Sequence, residues 1–328
     1  MSRGPVSLIV TVRNEEGSID ALLDSLLSAR RAPEEIVVAD GGSTDGTWER
    51  LSARAARDVR VRAVHAPGNR SVGRNAAVRA ARHDVIACTD AGAEVEPEWL
   101  EKIVAPLEAD PDVGAVGGFY RPEGRTAFER AAGVVSAPAL REIDPGRFLP
   151  STRSLAFRRS AFERAGGFDE TLAHNEDTPF ALALKACGVR IAFEPLAVVR
   201  WRPRGDLGAF YRQHRRFGLG DGESRVQGWF YRRLAAKYVL GVALASAGFA
   251  FRPAWWALLL GIAGFAAQQA RRGIGRIPLP EAAFAVPLLK VVYDLAYLAG
   301  YARGRLGPAA TRPGPTSPPR EQPPRRQG

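Results

Sequence analysis

A chain of 328 residues, 46% of them hydrophobic, is long enough for one sizeable domain plus an appendage and too apolar to be globally disordered. Its formal net charge of +11 suits an anionic partner, whether nucleic acid, lipid head groups or a diphosphate, without choosing among them. The 2 cysteines, Cys88 and Cys187, exclude a disulfide framework and a cysteine-built metal site; both read as small buried residues in a reducing compartment.

No leader pattern precedes the first apolar run, so the globular part is expected in the cytosol. Val6–Val12 is a continuous β-branched run and predicts a buried strand. Ser18–Ser28 follows as an amphipathic helix with Ser18 as its cap. Glu35–Asp40 repeats the strand pattern and breaks at Gly41–Gly42, with a helix restarting at Ser43 or Thr44. Val59–Val64, Ser71–Ala81, Val85–Thr89 and Pro97–Ala109 continue the rhythm. Such alternation predicts an α/β fold with a mostly parallel sheet and ligands at the carboxyl ends of its strands. From Thr126 the rhythm loosens into a helix to Arg141, a strand at Ser151–Arg158 and helices at Asp177–Ala186 and Leu207–Phe217.

After Arg233 the composition turns apolar. Tyr238–Phe251 and Ala254–Ala270, joined by Arg252–Pro253, read as a tight transmembrane hairpin or re-entrant pair in preference to two helices of a soluble core. Arg232, Arg233 and Lys237 before the pair and Arg271, Arg272 and Arg276 after it put both ends on the cytosolic side. Glu281–Tyr301 is apolar too, but Lys290 and Asp294 would be costly at mid-bilayer, so an interfacial or bundle-packed helix is expected. The Pro- and Arg-rich tail from Gly307 predicts disorder, with basic residues suited to anionic lipid. The expected organisation is a domain over 1–232 with halves at 1–120 and 121–232, membrane-associated helices over 233–306, and a tail over 307–328.

Several residues carry chemistry. Asp40, at the end of the second strand, can accept hydrogen bonds from a base or a ribose, and Gly41–Gly42 let a ligand approach the backbone. Asp45 reads as a helix cap. Arg74 could fork onto a diphosphate, although such an arginine standing alone is more often a solvated surface residue. Asp90 ends the fourth strand.

The runs VSLIVTVRNEE, EIVVADGGSTDGT, GRNAA, TDAGAEVEPEWLE, LAFRRSAFERAGGFDE, NEDTPFALALKACG and FYRQHRRFGLG follow one another between Val6 and Gly220. Each is weak alone; in this order they resemble the family 2 glycosyltransferases of GT-A fold. Within that family the chain is similar to membrane-associated, succinoglycan-type enzymes that extend lipid-linked exopolysaccharide. The resemblance implies a Rossmann-like nucleotide-sugar-binding domain followed by C-terminal membrane-associated helices, at the cytoplasmic face of the inner membrane. It implies that Thr11, Arg13 and Glu15 border the nucleotide, that Asp40 recognises the base, and that Arg74 lies near the diphosphate. Asp90 corresponds to the first acid of the DxD motif, which holds the ribose and a divalent cation, Mg²⁺ or Mn²⁺. Asp177 corresponds to the general base, with Glu176 in support. Gln213 and Arg216, followed by Phe217, resemble a loose QxxRW motif. The implied partners are a UDP- or GDP-sugar and a lipid-linked glycan, with no nucleic acid.

An inverting transfer is one displacement at the anomeric carbon, so one carboxylate base suffices, provided positive charge meets the departing diphosphate. As a purely structural residue, Asp177 would cap the helix that opens with Thr178–Pro179. The chain departs from the family pattern twice. The DxD motif reads Asp90–Ala91–Gly92, leaving Glu94 as the nearby acid to substitute. The stretch Val199–Arg204 has no histidine, and Arg202 or Arg204 is expected to supply part of the charge a metal would give. Two rival readings remain: a polyprenyl-phosphate sugar synthase, which needs no strong base, and a basic membrane-bound protein that binds nucleotide or nucleic acid without turnover. Against the latter, the arginines are dispersed and lack the aromatic interleaving of single-strand binders.

Overall fold

The computed structural model describes residues 4–307; the tail residues 308–328 lie outside the described residues. The apolar runs near the N-terminus become β1 (Val6–Val12) and β2 (Glu35–Asp40), buried along nearly their whole length because helices cover both faces. They alternate with α1 (Ile19–Leu27), α2 (Thr47–Arg57), β3 (Val61–His65), α3 (Arg70–Ala80) and β4 (Val85–Cys88). β1 to β4 are parallel, so the loops after β1, β2 and β4 open on one edge. Helix α2 starts later than Ser43 or Thr44, because those residues are committed to the loop: the Ser43 hydroxyl donates to Asp40, and the Thr44 amide donates to Asn14 Oδ1 at 2.9 Å. Ser18 occupies the cap position of α1 without bonding its amides; its hydroxyl donates to Glu15 instead.

The second half adds β5 (Ala93–Val95), α4 (Trp99–Ala109), β6 (Val113–Pro122), α5 (Ala127–Ser136), β7 (Leu155–Arg158), α6 (Arg159–Ala165), α7 (Asp177–Ala186) and β8 (Arg190–Trp201). The 8 strands form one mixed sheet in the order β3-β2-β1-β4-β7-β6-β8-β5. β7 runs antiparallel to both β4 and β6 and thereby joins the parallel half to the rest. Trp99 is buried beneath the sheet and donates its indole N–H to Ser154 Oγ at 2.8 Å.

α8 (Leu207–Glu223), α9 (Gly228–Gly248), α10 (Pro253–Gly273) and α11 (Val286–Leu306) complete the chain. The expectation for these helices needs correction. Among the described residues the one helix long and apolar enough to cross a membrane is the run Glu281–Leu306, not the α9–α10 pair. Charges in the first half of α9 and glutamines and arginines at the end of α10 shorten their apolar stretches. Both helices still turn Val239, Leu240, Val242, Trp256, Leu259 and Leu260 outward, which is unlike helices of a soluble core. The charges that made α11 awkward are paired: fully buried Asp294 accepts from Lys237 at 2.6 Å, Lys290 at 2.7 Å and Tyr238 at 3.1 Å. Cys187 also departs from expectation; it is exposed at the end of α7, whereas Cys88 is buried.

α8 and α11 cross closely because glycines meet backbone. A Cβ on Gly300 would collide with the Arg215 carbonyl, and one on Gly304 with the Leu219 carbonyl. Gly300→Leu should therefore push α8 off α11 and destabilise the fold by about 1–3 kcal/mol or more. Thermal unfolding of the detergent-solubilised chain, with Gly241→Leu on the open side of α9 as the near-neutral control, measures this.

Candidate active site

The edge above β1, β2 and β4 holds two polar networks flanking the first turn of α3. The first belongs to the loops after β1 and β2. Asp40 is fully buried, and its carboxylate accepts from the Gly42 amide at 3.2 Å, the Ser43 amide at 3.1 Å and the Ser43 hydroxyl, with His65 Nδ1 at 3.3 Å. Asp40 thus shapes the turn, and in this structure none of its surface faces solvent. Asp45 stands one residue before Gly46, the cap position of α2, and accepts from the Thr47 amide at 3.1 Å and the Glu16 amide at 3.3 Å, so it shapes the turn into the helix without capping it. Glu15 donates its amide to Thr47 Oγ1 at 2.8 Å, Arg13 is exposed, and Thr11 lies against Gly73, where an added Cβ would meet its methyl group at 3.0 Å.

The second network centres on Arg74, next along α3 and 2% exposed. One guanidinium nitrogen binds Glu176, and the other reaches Asp90 Oδ1 at 2.9 Å. Burial works against the Arg74 charge, but the two carboxylates outweigh it and hold its pKa above the ordinary value. Asp90 is likewise opposed by burial and then held below the usual carboxylate range by Arg74, Arg153 and Arg70. Asn75, beside Arg74, ties down the loop before α7 by donating to the Phe168 carbonyl at 2.8 Å.

Asp177 is the first residue of α7, where the helix dipole favours a carboxylate. It is partly buried and accepts from the Ser151 hydroxyl at 2.9 Å and from the adjacent Thr178 amide at 3.0 Å; the cap position is Glu176, so Asp177 does not cap the helix. Its pKa is raised, first by burial and then by the charge of Glu176, against the pull of Arg74 and Arg153. The same charges tie it to the Asp90 network. Arg153 Nε stands 3.8 Å from Asp90 Oδ2, and its guanidinium lies over the rings of Trp201 at 4.8 Å and Tyr120 at 5.6 Å. The buried Trp201 indole N–H has no partner among the described residues.

Gln213 accepts from Arg204 Nε at 2.6 Å. Burial, then the neighbouring charges of Arg70, Arg153 and Arg216, keep the Arg204 pKa below its usual value, so 4 guanidinium groups share this corner. Arg202 is elsewhere: it binds Glu129 at 2.8 Å, at the capping box of α5, and is not free to supply charge here. Glu94 is also turned away, exposed and 3.5 Å from Arg200 on β8. Among the described residues no group of three or more histidines, cysteines or acids could hold a metal ion. Of the two acids expected beside a cation, Asp90 stays at this edge of the sheet and Glu94 does not.

Arg153, Arg70, Ser151, Tyr120 and Trp201 were missed as site residues in the sequence. Arg153 lay inside a stretch read as strand, although β7 begins only at Leu155.

A polar cluster at the carboxyl edge of a mixed α/β sheet, followed by C-terminal helices, is the arrangement of a GT-A fold. Residues 7–166 match the family described as Glycosyl transferase family 2. The uncharacterized glycosyltransferase EpsJ of Bacillus subtilis (strain 168) is 30% identical over 211 residues, which are 60% of this chain and 61% of that protein. The succinoglycan biosynthesis protein ExoA of Rhizobium meliloti (strain 1021) is 28% identical over 228 residues, 66% of this chain and 68% of that protein. The chain thus spans about three-fifths of the first relative's length and two-thirds of the second's. In fold, it superposes on the mannosyltransferase PcManGT from Pyrobaculum calidifontis, solved with GDP-Man and Mn²⁺, with a TM-score of 0.58 at 23% identity, covering 93% of this chain and 88% of that one.

Removing one member of the Arg74–Glu176–Asp90 triad leaves buried charge unpaired. Arg74→Ala should cost about 3–5 kcal/mol. Denaturant unfolding in mild detergent tests this, and loss within the range of a surface arginine would contradict it.

Proposed function

We propose that the chain is an inverting glycosyltransferase of polysaccharide biosynthesis, moving a hexose from a UDP- or GDP-sugar to a hydroxyl of a lipid-linked glycan. The observation that carries this reading is the placement of Asp177: a partly buried carboxylate of raised pKa, one residue from the Arg74-bound Glu176, beside a corner of arginines at the carboxyl edge of the sheet. Asp177 takes the proton from the acceptor hydroxyl as its oxygen attacks the anomeric carbon. The bond from that carbon to the phosphate oxygen breaks, and the nucleoside diphosphate leaves with the electron pair. Arg153, Arg204, Arg216 and Arg70 meet the charge that develops on it. Arg74 is saturated by its two carboxylates and serves to hold Asp90 and Glu176 in place. Gln213 orients Arg204. Thr11, Arg13 and Glu15 border the nucleotide, with Asp40 shaping the loop that receives its base. A divalent cation, Mg²⁺ or Mn²⁺, would be held by Asp90 and the donor's own phosphates and would neutralise part of their charge.

The outward apolar faces of α9, α10 and α11 support attachment to a membrane. On this reading the protein works at the cytoplasmic face of the inner membrane, where it meets a lipid-linked acceptor. The organisation proposed is a catalytic domain over 1–232 and membrane-associated helices over 233–306.

Asp177→Asn should lower kcat about 10²–10⁴-fold with little change in donor KM, followed as nucleoside diphosphate release from full-length protein in membranes. Unaltered transfer by this variant would favour a phosphate acceptor, as in a polyprenyl-phosphate sugar synthase. The base works deprotonated and its pKa is raised, so kcat should fall as pH drops through a limb lying above the ordinary aspartate value of 3.8. A pH profile flat down to that value would exclude Asp177 as the titrating base.

A further inference from the structure

We propose that Asp221 is a positioning residue for Asp177, acting through Asn175; the inference rests on the reading of Asp177 given under Proposed function. Asp221 lies on α8, 2% exposed, below the loop that leads into α7. Its Oδ1 accepts from Asn175 Nδ2 at 2.6 Å and its Oδ2 from the Tyr231 hydroxyl at 2.6 Å. Asn175 has φ +57°, a left-handed conformation that a non-glycine residue holds only where its surroundings impose it. The peptide leaving Asn175 sets the direction of Glu176 and Asp177, so releasing its side chain frees both acids to rotate.

α8 is brought to this loop by Gly220. A Cβ there would run into the His174 carbonyl and come within 3.0 Å of Asn175 Cβ. The other arm of Asp221 leads away from the site. Tyr231, 1% exposed on α9, stacks on Tyr301 of α11 with ring centroids 3.8 Å apart and planes 8° from parallel. Asp221 therefore joins the loop carrying the acid pair to two of the helices with outward apolar faces. Burial raises its carboxyl to about 6, opposed by the bonds from Tyr231 and Asn175, and the charge of Asp177 adds to the rise. A carboxylate kept at such a position and bonded on both oxygens gives a directed hold on Asn175 that an apolar residue of the same size would not.

The test uses the full chain in membranes, with UDP-glucose and GDP-mannose as donors, reading kcat from UDP or GDP release and binding of UDP and GDP by equilibrium dialysis. Asp221→Ala should lower kcat about 10²-fold, the effect of misplacing a catalytic group by an ångström, with nucleotide affinity unchanged. Tyr231→Phe, which removes one hydrogen bond and no volume from the core, should lower kcat roughly 2–10-fold in the same sense. Adding Asn175→Ala to Asp221→Ala should cost no further kcat, because both act through one bond. Wild-type kcat in Asp221→Ala and Tyr231→Phe overturns the proposal, as does a parallel loss of kcat, nucleotide affinity and Tm in Tyr231→Phe. Asp177→Asn in the same assay separates the two readings. If it is inactive while the Asp221 and Tyr231 variants turn over normally, the positioning role alone fails; if it is fully active, the base assignment fails as well.

Discussion

Arg74 holds together elements that share no hydrogen-bonded ladder: Asp90 at the end of β4 and Glu176 at the start of α7, bound by one buried guanidinium on α3. Burying Arg74 and Glu176 is unfavourable one at a time and tolerable only together, with part-exposed Asp90 as the second partner, since each desolvated group needs its partners within hydrogen-bond reach. The arrangement fixes distances as well as charge. With Arg74 engaged on both sides, Asp90 stays ionised, Glu176 stays below the surface, and the next residue, Asp177, is left facing Ser151 and the arginine corner. The site's geometry thus follows from a charge constraint imposed underneath it.

A second constraint comes from the C-terminal helices. α8 approaches α11 through Gly218, Gly222, Gly300 and Gly304, where backbone meets backbone with no side chain between. Gly220, on the same helix, turns to the loop before α7 instead. Helix α8 thereby presents one close-packed face to the apolar region and another to the site. Its polar residues divide likewise: Asp221 bonds the loop through Asn175, while Gln213, a little more than two turns earlier, meets Arg204.

Much of this was legible in the sequence, for reasons that also show where reading failed. β1, β2 and α7 have the bounds their patterns predict, because a continuous buried run and an acidic, Pro-containing first turn are local signals. β6 and β8 were missed. Gly-rich β6 and the partly exposed first half of β8 carry neither a clean alternation nor a continuous run, and their pairing is set by long-range register. The partnership of Arg74 with Glu176, 102 residues away, likewise has no local signature. Arg202 and Arg204 look equivalent in the sequence. In the fold they part, since β8 ends at Trp201 and the turn after it sends Arg202 to the capping box of α5 and Arg204 toward Arg153.

The missing second acid of the DxD motif acquires a physical meaning in that corner. A carboxylate at Gly92 would add negative charge near Asp90, whose neighbours Arg74, Arg153 and Arg70 already balance it. Two acids are useful where a divalent cation is to be gripped by the protein itself. One acid surrounded by guanidinium groups instead forms a field that is net positive, with Arg70, Arg153, Arg204 and Arg216 close enough for one another's charge to hold down the Arg204 pKa. Such mutual repulsion is relieved by whatever brings two or more negative charges among them. On the proposed reading a diphosphate does this, and its charge grows as the bond to the sugar breaks, so the field would favour the departing group over the bound donor.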